Sequence, residues 1–204
     1  MFCENYEGFT QELEKRMFTV HSAETGAQAK EIALSLMGSA VVGCGGSATA
    51  ISLGMHDALR KQGATVYFHG EVAPEERPAV FAKCATAEWY LCSTNAITRK
   101  GQLVNIDNTG NRVAAMAYGP KKVLIIVGKN KFAETLDEAM DRVKKYACVG
   151  NARRYNLSTP CALTGECANC YSPQRLCSVT TITEQKPRAI GEFHIILVDE
   201  ELGF

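Results

Sequence analysis

The feature that most constrains this sequence is an alternation of two patterns. Short, mostly apolar runs stand between longer stretches whose apolar residues recur every three or four positions. The runs are Ala40-Val41-Val42-Gly43, Ala64 to Phe68, residues 88–92, Gln102 to Ile106, Lys122 to Val127 and Phe193 to Val198. Runs this short suit strands covered on both faces. Between them, Ala29, Ile32, Ala33 and Leu36 mark one face of a helix over about 23–37, with Ser22 as its cap. Ile51, Met55, Ala58 and Leu59 mark a second helix that Gly63 ends, and Pro74 opens a third at a position where a missing N–H costs nothing. A short helix suits Asn111 to Tyr118, and Leu136, Met140, Val143 and Ala147 face one side of the next. Residues 4–18 read as an initial helix weakened by Gly8. Strands alternating with helices predict an α/β fold, a mainly parallel sheet flanked by helices.

The 204 residues suit a single domain spanning 1–204, with a helical N-terminal segment over 1–38. Twenty-two Lys and Arg against 22 Asp and Glu give no surplus positive charge. Nucleic acid and anionic membrane surfaces are therefore not expected partners. The longest aliphatic run, Val123 to Val127, is far too short to span a bilayer. Glu4, Glu7, Glu12 and Glu14 occupy the region where a signal peptide carries apolar residues. A cytoplasmic protein is expected.

In open α/β sheets, ligands bind beyond the carboxyl ends of the strands. Three stretches fall there. The first runs from Gly43 to Thr49, where Gly45, Gly46, Ser47 and Thr49 let a backbone approach an anion at a helix start. It is neither a Walker loop nor GxGxxG, and a plain turn capped by Ser47 is the competing reading. The second joins Ser93 to Thr98 with Asp107 to Arg112 across a hairpin turn at Lys100-Gly101. Asp107 can serve as a base and Arg112 as an anion clamp, with Asn95 and Asn111 as polar neighbours. A structural Asp107–Arg112 pair is an equal alternative. If Arg112 is a ligand clamp, Arg112→Ala abolishes anion binding with little change in melting temperature. The third stretch offers Lys131 as a point charge for an anionic ligand. His21, His56, His69 and His194 show no metal-ligand spacing, and Cys44 reads as a small buried residue.

Nine cysteines with no export signal do not suggest a disulfide framework. Four of them, Cys161, Cys167, Cys170 and Cys177, crowd into 17 residues. Four thiolates on one loop can wrap a zinc ion or an iron–sulfur cluster, although the spacing matches no common ferredoxin or zinc-ribbon run. The surrounding stretch, 148–190, lacks periodicity and reads as a cysteine-rich insertion before the last strand.

Thr94-Asn95-Ala96-Ile97, Gly101 to Asp107, Gly110-Asn111-Arg112-Val113, Gly119 to Val123 and Gly128-Lys129-Asn130-Lys131 resemble the LUD (lactate-utilisation) domain family. The Pro160 to Cys177 segment and Leu202-Gly203-Phe204 are similar to its short, cysteine-containing branch. The resemblance implies a fold like the NagB/RpiA and CoA-transferase group, with the first strand–glycine-loop–helix contributing to the substrate site. It also implies a role in oxidising lactate or a related 2-hydroxyacid beside iron–sulfur partner subunits, on a small anionic metabolite. Two other functions compete: an isomerase or CoA/acyl transferase with Asp107 as base, and a non-catalytic metabolite-binding module. Whether the chain forms a homo-oligomer is left open.

Overall fold

The computed structural model describes residues 8–204. The chain opens with α1 (Phe9–Lys15), β1 (Thr19–Ala23), α2 (Gly26–Met37) and β2 (Val41–Cys44). Helices α3 (Ala48–Ser52) and α4 (Met55–Lys61) lead to β3 (Thr65–Phe68), α5 (Arg77–Ala85) and β4 (Trp89–Cys92). A hairpin of β5 (Ala96–Thr98) and β6 (Leu103–Asp107) precedes α6 (Asn111–Ala117) and β7 (Lys122–Gly128). After β8 (Phe132–Ala133), α7 (Leu136–Arg142) passes through a π-helical stretch, Val143–Cys148, into α8 (Val149–Arg154). Helix α9 (Pro160–Thr164), β9 (Val179–Thr183) and β10 (Glu192–Val198) complete the described chain. None of its helices is long and apolar enough to cross a membrane.

Six strands form an all-parallel sheet in the order β1-β10-β7-β4-β2-β3. The central strands obey the two-residue period of a sheet buried on both sides. Val123, Ile125 and Val127 of β7 and Phe193, Ile195 and Leu197 of β10 join one core with Phe9, Leu13 and Met116. Leu124, Ile126, Ile196 and Val198 point the other way, onto Ala29, Ala33, Met55 and Leu59 of α2 and α4. The expected α/β fold with a parallel sheet between helices is therefore present.

Several boundaries differ from the sequence reading. Gly54, at φ 61°, breaks the helix expected after the glycine loop into α3 and α4. Thr25, accepting from the Gln28 N–H at 3.2 Å, caps α2 in place of Ser22. Thr19–Ala23 is an edge strand on β10 rather than the approach to a helix. Its mixed Thr-Val-His-Ser-Ala sequence has neither period, because only Ala23 is buried. Gly8 begins the described part of the first helix, and the portion expected over residues 4–7 lies outside the described residues.

The stretch 148–190 is not an irregular insertion. Its first residues continue the long helix, and Val179–Thr183 pairs antiparallel with β6 in a second sheet ordered β8-β5-β6-β9. That strand escaped the sequence reading because it is an exposed edge of alternating Thr, Ile and Val. Ala96, Val104, Ala133, Ala139, Val143 and Cys148 close a third core between this small sheet and the long helix.

Gly43 is where the main sheet meets α5 most closely. A Cβ there would sit 2.8 Å from Cys84 Cα and 2.9 Å from its Cβ. Gly43→Ala is expected to destabilise the fold by about 1–3 kcal/mol through overpacking, read as a lower urea midpoint with an unchanged denaturant slope.

Candidate functional site

The strand order dictates where a crevice opens. The chain leaves β2 toward β3 on one side, and leaves β4 toward β7 on the other. The carboxyl ends of β2 and β4 thus flank the topological switch point, where loops diverge and leave a hollow. A cleft of about 830 Å³ lies there. The β2 end supplies Gly46 and Ser47, the β3 end His69, the β4 end Ser93 and Asn95, and the β7 end Lys131. Asp107, Asn111 and Arg112 enter from the hairpin and α6. Arg77 from α5, Arg154 and Tyr155 from the end of α8, and Phe204 complete the wall.

Seven of the nine residues expected to bind or react with substrate therefore line one cleft. Gly45 and Thr49 stand behind it. A Cβ on Gly45 would lie 3.0 Å from the Tyr90 hydroxyl and 3.4 Å from Arg112 Cδ, so the glycine lets the loop close onto the guanidinium. Ser47 Oγ accepts the Ala50 N–H at 3.2 Å as a helix cap. Helix α3 has only five residues, so little macrodipole is available for the anion expected at its start.

Arg112 is committed to the protein. Nη1 donates to Ser93 O at 3.0 Å and to Asn105 Oδ1, and Nη2 donates to Asn95 Oδ1 and Ile106 O, both at 2.8 Å. Nε faces Asp107 Oδ2 at 3.7 Å. All three guanidinium nitrogens are thereby turned to protein acceptors, and the side chain is a strut rather than a free clamp. Asn95 has a matching role, accepting from the Ile106 N–H at 2.9 Å as well. Asp107 keeps one oxygen on the Asn108 N–H at 2.8 Å, while its buried Oδ2 has no hydrogen-bond partner.

Lys131 is 4% exposed. Its Nζ lies 3.0 Å from Thr49 Oγ1 and 2.8 Å from Ser93 Oγ. Burial lowers its pKa to about 7, with Arg142 and Arg112 adding repulsion. Arg142 itself is drawn down to about 10 by burial; it donates to Asn130 O at 2.6 Å and to Asn95 O, which fixes the loops on either side of Lys131.

Sequence reasoning missed His69, Arg77, Arg154 and Tyr155 as wall residues. His69 follows directly on a strand end, which is a signal of position. Arg154 carries none: the π-helical stretch of six residues widens the helix and brings Cys148, Asn151 and Arg154 onto the cleft. Such insertions often mark functional sites. Arg154 Nη2 holds Gly46 O at 2.9 Å and Asn151 Oδ1 at 2.8 Å. His69 is pushed toward its neutral form by burial and by Arg77, against the opposing pull of Asp107. Of the four histidines, the others lie off the cleft; His21 and His194 share a hydrogen bond at 3.0 Å.

The cysteine segment carries the four candidate metal ligands. Cys161, Cys170 and Cys177 are half-buried and Cys167 is exposed. Among the described residues no group of three or more His, Cys, Asp or Glu side chains is arranged to hold a metal ion. Arg175 Nε instead donates to Cys177 Sγ at 3.1 Å, and Arg175 Nη1 to Cys170 O at 2.8 Å. No step is assigned to a zinc ion or an iron–sulfur cluster. Cys44 is buried at the end of β2, where burial raises its thiol pKa and keeps it inert.

Fold and cleft together define an α/β protein with a six-stranded parallel sheet and a cleft at its switch point. The profile of the LUD domain matches residues 6–198, and the chain belongs to that family. At the level of the family it is a lactate-utilisation-related protein. A search of solved structures finds similarity to a DUF162-family protein from Deinococcus radiodurans, at 12% identity and a TM-score of 0.55. The match covers 97% of this chain and 98% of that one, and supports the fold. No curated protein matched in sequence.

Two outcomes test this geometry. Arg112→Ala strands two amide oxygens and two carbonyls, and is expected to cost roughly 3 kcal/mol of stability, with Arg112→Lys failing to restore it in chemical denaturation. Lys131 gives the second. Unfolded, it keeps its proton up to the ordinary 10.5; folded, it releases it at about 7. Between those values the unfolded chain binds the extra proton, so rising pH favours the folded state. The stability of the wild type relative to Lys131→Met is expected to climb across that window and to be flat below it.

Proposed function

We propose that the cleft binds a small carboxylate metabolite, a 2-hydroxyacid or its 2-oxo counterpart, and that the chain is the substrate-holding component of lactate-type oxidation. One observation carries this reading. Two buried polar atoms without a hydrogen-bond partner, Asp107 Oδ2 and Arg154 Nε, belong to residues of the cleft wall, and Oδ2 has only the Arg112 Nε at 3.7 Å. A buried polar group left unpaired is costly, and a ligand that completes it repays that cost. A 2-hydroxyacid has the matching chemistry. Its carboxylate accepts from the Arg154 Nε–H, and its hydroxyl donates to Asp107 Oδ2.

The second cation, Arg77, strengthens the preference for an anion. The cleft volume of about 830 Å³ falls in the range that encloses drug-sized ligands. Lactate fills only part of it, which favours a longer acid of the same type. The electrons of such an oxidation are assigned to iron–sulfur partner subunits, in keeping with the family context. The same polar set gives Asp107 the role of hydroxyl acceptor and Arg112 that of the strut holding it in place.

Calorimetry with a series of 2-hydroxyacids tests the proposal. Affinity is expected to rise from lactate to longer homologues. Asp107→Asn and Arg154→Ala are each expected to weaken binding by about tenfold or more, equivalent to roughly 1.4 kcal/mol, with melting temperatures close to wild type. Binding of sugar phosphates instead, with turnover by the purified chain alone, replaces this reading with an isomerase.

A further inference from the structure

Lys131 is buried on the cleft wall, and its surroundings are built for an amine rather than an ammonium ion. Its two hydrogen-bond partners are both hydroxyls. Each hydroxyl has a single proton, and each spends it elsewhere: Ser93 Oγ donates to Ile126 O at 2.6 Å, and Thr49 Oγ1 to Leu202 O at 3.2 Å. Both are therefore acceptors toward Nζ. A neutral amine has two N–H bonds and one lone pair, so two acceptors pair both N–H groups and leave the lone pair free. An ammonium ion carries a third N–H, for which no described residue offers an acceptor. No carboxylate lies within ion-pair distance of Nζ among the described residues. The nearby charges are the cations Arg112 and Arg142. A buried lysine in such company is activated as a nucleophile.

We propose that Lys131 is a nucleophilic amine that forms an imine with the carbonyl carbon of a 2-oxoacid held in the cleft. This rests on the reading of the cleft as a 2-hydroxy- and 2-oxoacid site, and adds a covalent step to it. Nζ bonds to the carbonyl carbon, and the carbonyl π electrons move to oxygen, which takes the proton released by nitrogen. The resulting hydroxyl leaves as water with one further proton from solvent, and the nitrogen lone pair closes the C=N bond. The net change is amine plus carbonyl plus one proton, giving a protonated imine plus water. The carboxylate cannot be held by Lys131 in its neutral form and falls to Arg154 and Arg77, which line the same cleft.

Reductive trapping tests this directly. The full-length chain is incubated with pyruvate, and separately with a longer 2-oxoacid, in the presence of cyanoborohydride near neutral pH. Peptide mapping is expected to place a secondary-amine adduct on Lys131, with loss of that adduct in Lys131→Met. Mapping the wild type alone already decides the site, whatever the folding of the variant. Absence of an adduct on Lys131, or labelling confined to exposed lysines, overturns the proposal. Calorimetry with the matching 2-hydroxyacid, which has no carbonyl, separates the two readings. Heat of binding without a Lys131 adduct overturns the amine role and leaves the cleft reading standing. Neither heat nor adduct overturns both.

Discussion

The guanidinium of Arg112 is the interaction on which the site depends. It ties the carboxyl end of β4, through Ser93 O, to Asn95 before β5 and to Asn105 and Ile106 on β6. Those groups belong to the junction between the large parallel sheet and the small second sheet. A charged group bonded to four acceptors that are at least partly buried is worth far more than a surface ion pair, because each acceptor left unpaired is costly. The glycine loop closes against the same side chain, at Gly45. One arginine thereby sets the relative position of three of the loops that form the cleft.

The second sheet adds depth to the cleft. A parallel sheet alone offers a shallow crevice at its switch point. Here the β5–β6 hairpin and the long helix from Leu136 to Arg154 add a wall beyond it, joined by their own apolar core. The π-helical stretch sits within that wall. It turns Arg154 toward Gly46 O, 2.9 Å away, so the wall is fastened to the glycine loop as well as to the hairpin.

Much of this was legible in the sequence for one reason. Strands buried on both faces have to be continuous apolar runs, so the central strands β2, β4, β7 and β10 announce themselves. Their carboxyl ends then point to Gly46, Ser93, Asn95 and Lys131 without any structure. Edge strands lack that signature: Thr19–Ala23 and Val179–Thr183 have one side or both in solvent and carry Thr, Ser and His. The division of roles was not legible either. Arg112 and Lys131 are both cations near strand ends, and sequence gives each the task of holding an anion. What separates them is the number of acceptors each finds: Arg112 meets four and an adjacent carboxylate, Lys131 only two hydroxyls.

The same contrast orders the charges of the site. Arg112 on the cleft wall and Arg142 near Lys131 surround the amine with positive charge, and that field both attracts anions and works against a proton on Lys131. A carboxylate placed directly against Nζ would cancel the effect, since an opposite charge within a few ångströms favours the protonated form. Attraction and nucleophilicity are therefore compatible only if the carboxylate rests away from the amine. Arg154 and Arg77 line the same cleft from different elements, the end of α8 and the start of α5. On the proposal that these two arginines grip the acid group, the positive wall captures the anion while Lys131 stays neutral enough to react.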